Sequence, residues 1–439
     1  MAEKSVFESV LRDTLLVYAT NGVMLATGIL YTFLIANSLG PKDYGIVNYI
    51  MSFLITALNL IGMYTVLKIT TIFTAKKKSK KLFWFLVKAN YLLAGLIILF
   101  TLLFPEMLVN YFGKGTPELW VTALLLVALM PGTMIFHSLL IGFKKFKSML
   151  FISIAENIVN LTFAVYFVLI LQQGMLGVIY ARAVSLFAAL ALSLIYYRKL
   201  KFEEKEFDKG ELKEFVVGSV PTNWIREGLN MLLIFFLGML SAPMLGVYYL
   251  VEKFVNYFVK IPIDGLVEVM LPYAAEKHDD LESLNKYTSI SLKFFLLFSV
   301  IFGVAFIIIG NLFIDVLFPD FRPGPFLFLL FAVLNLFWVL NAFGITLRVL
   351  NKTKMLAFAL FIEGVGFTFP ALILVPVMGI EGLLISLIIG RTLRLAYFLM
   401  FQHKVGLHAQ LIPRPKDIIY FYNIGTGIIK KQLKKQPPT

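Results

Sequence analysis

The sequence predicts an all-α polytopic membrane protein of about twelve transmembrane helices. Three observations carry that prediction. The 439 residues are 59% hydrophobic and only 15% charged, where soluble domains carry about 25% charged residues. Mean hydropathy is +0.85. The apolar residues come in blocks of roughly twenty, the length that crosses a bilayer core as a helix. A soluble fold with this balance would lack the polar surface to cover itself. Each span must be helical, because lipid offers an open backbone no hydrogen-bond partner.

Spans are expected at 14–39, 45–74, 82–104, 119–143, 149–171, 175–197, 213–240, 244–273, 287–311, 326–350, 355–378 and 379–401. The first starts near Thr14, is too long for a signal h-region and has no clear cleavage site, so it reads as a span. Of the 40 Lys and Arg residues, 28 fall on one set of loops and 3 (Lys42, Lys114, Arg322) on the other. The positive-inside bias makes the first set cytoplasmic, with both termini. A plasma-membrane protein with cytoplasmic ends is the expectation.

This placement also disposes of a nucleic-acid reading of the net charge of +14. The charge is spread over short loops between spans and does not form a stripe. No cysteine is present, which removes disulfides, thiolate chemistry and Cys-bound metals. His137, His278, His403 and His408 have no metal-ligand spacing. No metal site, organic cofactor or catalytic residue is expected, and the loops are too short to hold a catalytic domain.

The longest polar loop, 198–212, divides the chain into an N-terminal lobe, 1–197, and a C-terminal lobe, 213–401. A basic tail, 402–439, follows, either an interfacial helix on the inner leaflet or a frayed end. Six spans in each lobe give both the same orientation, which permits a parallel repeat. Leu39-Gly-Pro-Lys-Asp-Tyr-Gly45 and Leu240-Ser-Ala-Pro-Met-Leu-Gly246 occupy matching corners, with Leu and Gly at the same shift. Glu156 and Glu363 sit alike in spans five and eleven.

Ionisable groups inside a bilayer are costly and usually face a cavity or a partner. Lys88 and Lys293 lie near cytoplasmic ends and are expected to snorkel; Lys68 either snorkels or lines a cytoplasm-facing cavity. Asn223, Arg226, Glu227 and Asn230 recur at helical spacing in span seven. Lys253, Asn256, Lys260 and Asp264 share one face of span eight, flanked by Glu252 and Glu268. Arg182, Arg391 and Arg394 add charge to spans six and twelve. Either these groups pair with one another as glue, Arg226 with Glu227 or Glu252 and Lys260 with Asp264, or they line a hydrated cavity. A cavity holding Arg226, Lys253 and Lys260 attracts an anion: arginine forks onto phosphate oxygens and lysine supplies a point charge.

The Leu39–Gly45 corner followed by an apolar span resembles the first-loop signature of Wzx-type polysaccharide and O-antigen flippases. These belong to the multidrug/oligosaccharidyl-lipid/polysaccharide (MOP) exporter superfamily. Leu271-Pro272-Tyr273, Leu281-Glu-Ser-Leu284, Ile314-Asp-Val-Leu-Phe318 and Val377-Met-Gly-Ile-Glu-Gly382 agree in order, to about residue 400. The resemblance implies two pseudo-symmetric six-helix lobes in a V that alternate between inward- and outward-open states, with spans one, two, seven and eight lining the cleft. It implies a polyprenyl-(pyro)phosphate-linked oligosaccharide as cargo, with membrane lipid and glycan-assembly proteins as partners. Related flippases of lipid-linked precursors often carry arginine in span one, where this chain has Asn21.

On that reading Arg226, Lys253 and Lys260 hold the phosphate. Asn21, Asn59, Asn223, Asn230 and Asn256 serve sugar hydroxyls, which are expensive to bury without partners. Glu227, Asp264 and Glu363 are the candidates for coupling to Na⁺ or H⁺. Three rivals stand beside it. A multidrug-type exporter of the same fold would take another amphiphile. An intramembrane glycan polymerase or ligase would use a large outer loop with Arg or His, yet the outer loops hold one Arg and no His. A scaffold would leave the charged stripes without a purpose.

Overall fold

The structure is a computed structural model. It describes residues 2–77, 79–143, 145–202, 209–260, 281–350, 352–410 and 412. Within these residues the chain is helical almost throughout, in fifteen α-helices with short π and 3₁₀ segments at their joints.

The first predicted turn is not a loop. Helix α1 (Ala2–Leu60) runs through it, kinked at Gly40, whose φ of 69° lies in the left-handed region. Gly accepts that conformation without steric cost, and Pro41, with its fixed φ, suits the first turn of the segment that follows. The second predicted span is broken. The chain turns by 64° between Leu60 and Met63, with Gly62 at φ 122°, and continues as α2 (Met63–Lys77).

The spans predicted at 82–104, 119–143 and 175–197 are α3 (Lys80–Leu103), α5 (Pro117–Gly142) and α7 (Gly174–Tyr197). Thr116 caps α5 by accepting from the Leu119 N–H at 3.3 Å, with Pro117 at the first helical position. The short α4 (Pro105–Phe112) lies between α3 and α5. Helix α6 (Phe146–Ala164) ends in a π segment, Val165–Ile170.

The second half begins with α8 (Lys209–Gly238) and α9 (Ala242–Val255), which passes into a π segment, Asn256–Lys260. After residue 280 come α10 (Leu281–Ala305), a π segment at Phe306–Gly310 and α11 (Asn311–Leu317). This rod is longer at both ends than the predicted 287–311. Helices α12 (Pro325–Leu336) and α13 (Leu340–Val349) meet at a 3₁₀ turn. Helices α14 (Thr353–Met378) and α15 (Ile380–Phe401) complete the fold.

Eight helices among the described residues are long and apolar enough to cross a membrane, or nine if α1 with α2 counts as one bent span. The helices falling short include α8 and the 14-residue α9. Up to Tyr197 the helices pack chiefly on one another, with α7 against α5 and α6, and α5 against α2 and α3. From Lys209 onward α14 packs on α15 and α8, and α12 on α10 and α15. Between the two sets the main contacts run from α1 to α9 and α8.

Candidate functional site

The site is built where α1 and α2 meet α8 and α9. The Gly40 kink carries Tyr31 before it and Tyr44 after it, and both rings turn toward α9. The Lys253 ammonium stands 5.0 Å from the Tyr44 ring centroid and 5.8 Å from that of Tyr31. One turn along, the Tyr257 hydroxyl lies 3.2 Å from that of Thr32, and its ring covers Gly28, where a Cβ would come within 2.8 Å of the phenol oxygen. Among the described residues no carboxylate forms a salt bridge with Lys253, although that of Glu252, next to it on α9, attracts it electrostatically. Two aromatic faces hold it, each a weak electrostatic partner.

The second cluster joins α8 to α2. The Arg226 guanidinium stacks 4.0 Å from the centroid of the Tyr64 ring and donates through Nη1 to its hydroxyl at 3.2 Å. Nε and Nη2 donate to Oε1 of Glu227 at 3.1 and 2.7 Å. Asn230 donates to the other carboxylate oxygen at 3.0 Å, and Asn223 donates to Thr65 at 3.2 Å. Glu227 is only 3% exposed; its three donors make that burial tolerable. The break at Gly62 sets Tyr64 and Thr65 against α8.

Two further ion pairs occupy equivalent places in the two halves. Arg182 on α7 meets Glu156 on α6 at 2.9 Å. Arg394 on α15 meets Glu363 on α14 at 2.8 Å, and Arg391 approaches the same carboxylate at 3.6 Å. Arg391 also donates to the Leu334 carbonyl at 3.3 Å, just before the 3₁₀ turn that interrupts the helical ladder.

The predicted residues thus divide. Asn223, Arg226, Glu227 and Asn230 form one cluster, with Arg226 on Glu227 as the pairing alternative foresaw. Lys253 stands apart among tyrosines, and Glu363 belongs to a separate pair. Asn59 lies on α1 and Asn256 where α9 passes into its π segment, both apart from that cluster. Asp264, Glu268 and Leu271-Pro272-Tyr273 lie outside the described residues, as do the side chains of Asn21, Lys68 and Lys260. Lys88 is exposed. Lys293 is not: it is 6% exposed and enclosed by protein. Tyr31, Tyr44, Tyr64 and Thr65 escaped the sequence reading, since aromatic and hydroxyl residues in an apolar run look like core.

At the end that the Lys/Arg bias assigns to the outside, the two halves are sealed together. A Cβ on Gly45 would strike the Ala242 carbonyl oxygen, and one on Gly246 the Pro41 carbonyl oxygen. The Lys114 ammonium donates to the Leu240 carbonyl at 2.7 Å, while its own carbonyl accepts from the Trp120 indole at 2.9 Å. Asn37 donates to the Leu317 carbonyl at 2.9 Å.

The sequence matches the polysaccharide biosynthesis protein family over residues 34–320. No curated protein matches it significantly. Among solved structures, it is similar to one described as "Lipid II flippase MurJ, inward closed conformation". The TM-score is 0.70 and the identity 14%, covering 98% of this chain and 94% of that one. It is also similar to the MATE multidrug transporter DinF-BH, at TM-score 0.66 and 15% identity, covering 90% and 95%. A MOP-superfamily transporter from Pyrococcus furiosus gives TM-score 0.64 and 14% identity, covering 90% and 95%. At such identities these structures establish the fold, and the family match agrees with the resemblance read from the corner motifs. The chain belongs to the polysaccharide biosynthesis protein family and is a multi-pass membrane protein with the fold of the MOP-superfamily transporters.

Proposed function

We propose that this protein is a flippase of the plasma membrane, with both termini cytoplasmic. It carries a polyprenyl-(pyro)phosphate-linked oligosaccharide from the cytoplasmic to the outer leaflet. The lobes 1–197 and 213–401 alternate access about the α1–α9 contact. The observation that carries this reading is Lys253. It is a cation on a membrane-embedded face, at the contact between the halves, with aromatic rings around it and no carboxylate paired to it among the described residues. Such a charge is expensive, and an anionic cargo relieves the cost each time it binds. The family match supports a role in polysaccharide assembly, alongside glycan-assembly proteins.

Lys253 is the primary phosphate ligand in this reading, with Lys260 one face-repeat further along. Arg226 joins them by exchanging Glu227 for phosphate. Asn21, Asn59, Asn223, Asn230 and Asn256 receive the sugar. Coupling to Na⁺ or H⁺ falls to Glu227, Asp264 and Glu363. Glu227 and Glu363 are held by arginine in this conformation, so a cation binds there only as the guanidinium leaves. Binding of the coupling ion and release of Arg226 would then be one event.

The test is flipping of a fluorescent polyprenyl-diphosphate oligosaccharide in proteoliposomes. Lys253→Gln is expected to lower the rate at least tenfold and Lys253→Arg to retain most of it. Full activity of Lys253→Gln, or efflux of cationic dyes without glycolipid flipping, overturns the reading in favour of a multidrug-type exporter. Loss of activity when both ion gradients are collapsed supports coupling, and unchanged flipping removes it.

A further inference from the structure

The second half of the chain carries more embedded positive charge than it neutralises. Among the described residues, Arg391 and Arg394 on α15 share one carboxylate, that of Glu363 on α14, at 3.6 and 2.8 Å. The triad keeps one positive charge. In the first half the equivalent pair, Arg182 on α7 with Glu156 on α6, is balanced at 2.9 Å. Arg391 lies 11 residues along α15 from Ile380, about 16 Å at 1.5 Å per residue, near the middle of a hydrocarbon core about 30 Å thick. A net charge at that depth is costly. We infer that the triad and the adjoining end of α12 bind one small monovalent anion, of the size and charge of chloride. The inference holds whatever the protein carries.

Two buried donors beside the triad point to the same ligand. Asn335, the penultimate residue of α12, is 4% exposed. Its Oδ1 accepts from the Trp338 indole at 3.2 Å. An indole N–H can only donate, so this bond fixes which way the amide points. The Nδ2 end is then buried with no acceptor, and so is Nε of Arg394. Leaving a buried donor unsatisfied is destabilising. On α6, one turn from Glu156, the unsatisfied atom is of the opposite kind: Oδ1 of Asn160, an acceptor. Excess positive charge and unused N–H donors thus coincide in the second half.

Packing brings these groups to one place. Arg391 donates through Nη1 to the Leu334 carbonyl at 3.3 Å, which sets its guanidinium next to Asn335. One turn along α15, the Arg394 guanidinium lies 5.4 Å from the Phe398 ring, and Phe398 packs on Phe343 of α13 at 5.2 Å. The two arginines therefore flank the 3₁₀ turn Phe337–Val339 that separates α12 from α13. A spherical ion accepts from several directions and suits donors drawn from three side chains on two helices. Charge sets the valence. One negative charge brings the site to neutrality, and a second would be repelled by Glu363. The partly exposed side chain of Arg391 gives the ion a way in.

Glu363 and the anion compete for the same guanidiniums. Removing the carboxylate charge leaves two positive charges and strengthens anion binding. By linkage, a bound anion favours a neutralised Glu363 to the same extent.

The experiment uses the full-length protein. Thermal unfolding in detergent is followed as sodium chloride replaces sodium gluconate at constant ionic strength. Crystals grown in sodium bromide locate the ion by anomalous scattering. The melting temperature is expected to rise by several degrees in chloride, and a bromide peak is expected among Asn335, Arg391 and Arg394. Arg391→Gln should abolish the chloride-dependent shift, and Asn335→Leu should raise the half-effect concentration at least tenfold. Glu363→Gln should lower it at least tenfold. Lys253→Met, which removes the cation of the cleft, should leave it unchanged. Should Arg391→Gln fail to fold, Asn335→Leu and the bromide peak in the native protein decide.

Stability that does not depend on chloride overturns the inference, and a bromide peak at the triad then marks an adventitious ion only. A bromide peak confined to Lys253, or a chloride effect lost in Lys253→Met and kept in Arg391→Gln, overturns it in favour of the cleft. An unchanged half-effect in Glu363→Gln overturns it too, because an ion beside that carboxylate must respond to its charge. The flippase reading stands or falls separately, on the transport assay.

Discussion

Gly45 and Gly246 press against each other's corners: each lacks the Cβ that would strike a carbonyl oxygen of the opposite half, Ala242 for Gly45 and Pro41 for Gly246. The matching sequence motifs are therefore a pair of contact surfaces, one from each half. They meet backbone to backbone, with no side chain between them. Around this contact Tyr44, Val47 and Leu245 belong to one buried apolar core, so opening the corner also exposes apolar surface.

Gly246→Val should force this corner apart. The chain has no native cysteine, so a single cysteine at Thr32 reports access without background. Its labelling by a membrane-impermeant maleimide from the outside is expected to rise several-fold in Gly246→Val. Unchanged labelling in a variant of normal stability would show that the corner is not the seal.

Lys114 closes the same end through the Leu240 carbonyl. Lys114→Ala leaves that carbonyl unsatisfied, a loss of about 1–3 kcal/mol to the closed arrangement, and should also raise outside labelling. Burial holds the Lys114 ammonium below the usual lysine range. Its protonated form is therefore the one the closed corner disfavours. The closed arrangement should gain as pH rises through that lowered value toward the ordinary one, and lose as pH falls through it. Relative to an exposed single cysteine labelled at the same pH, which cancels the rise in thiolate, maleimide access at Thr32→Cys should fall from about pH 7 to about pH 9 in the native background and lose this dependence in Lys114→Ala. The reverse slope would refute the assignment.

Lys253 should trade stability for function. Lys253→Met removes a charge that, among the described residues, has two aromatic rings and the attraction of the adjacent Glu252 but no salt bridge; cation–π contacts are worth about 0.5–2 kcal/mol, against a burial cost of several kcal/mol. The expected result is a melting temperature higher by several degrees together with loss of flipping. A lower melting temperature would mean that the lysine is well compensated in the resting protein.

Glu156 and Arg182 should behave as a unit. The pair is half-buried, so removing one partner costs less than the about 3–5 kcal/mol of a fully buried pair but still leaves the other charge behind. Glu156→Ala and Arg182→Ala should each destabilise more than the double replacement does, measured by thermal unfolding in detergent. Additive losses would show that the two side chains act separately.

The span pattern, the polar faces of α8 and α9 and the paired corners were legible because each is a local property of the chain. Apolar block length, helical spacing and a Gly-Pro pair need no knowledge of neighbours. The Gly40 kink was read as a loop because a helix that resumes within one residue leaves the same Gly-Pro signature. The break at Gly62 left no apolar interruption at all.

By itself, then, the sequence determined a membrane-embedded helical protein, its corner motifs and the four polar residues of α8. Only the tertiary structure decided which charges cancel. Arg226 beside Glu227 is a neutralised pair, and Glu363 lies between two arginines, a triad that keeps one positive charge; Lys253 faces tyrosines. Spacing along a helix fixes which residues share a face. What that face meets depends on packing against α1 and α2, roughly two hundred residues away in the chain, and distance in space sets the strength of every charge interaction.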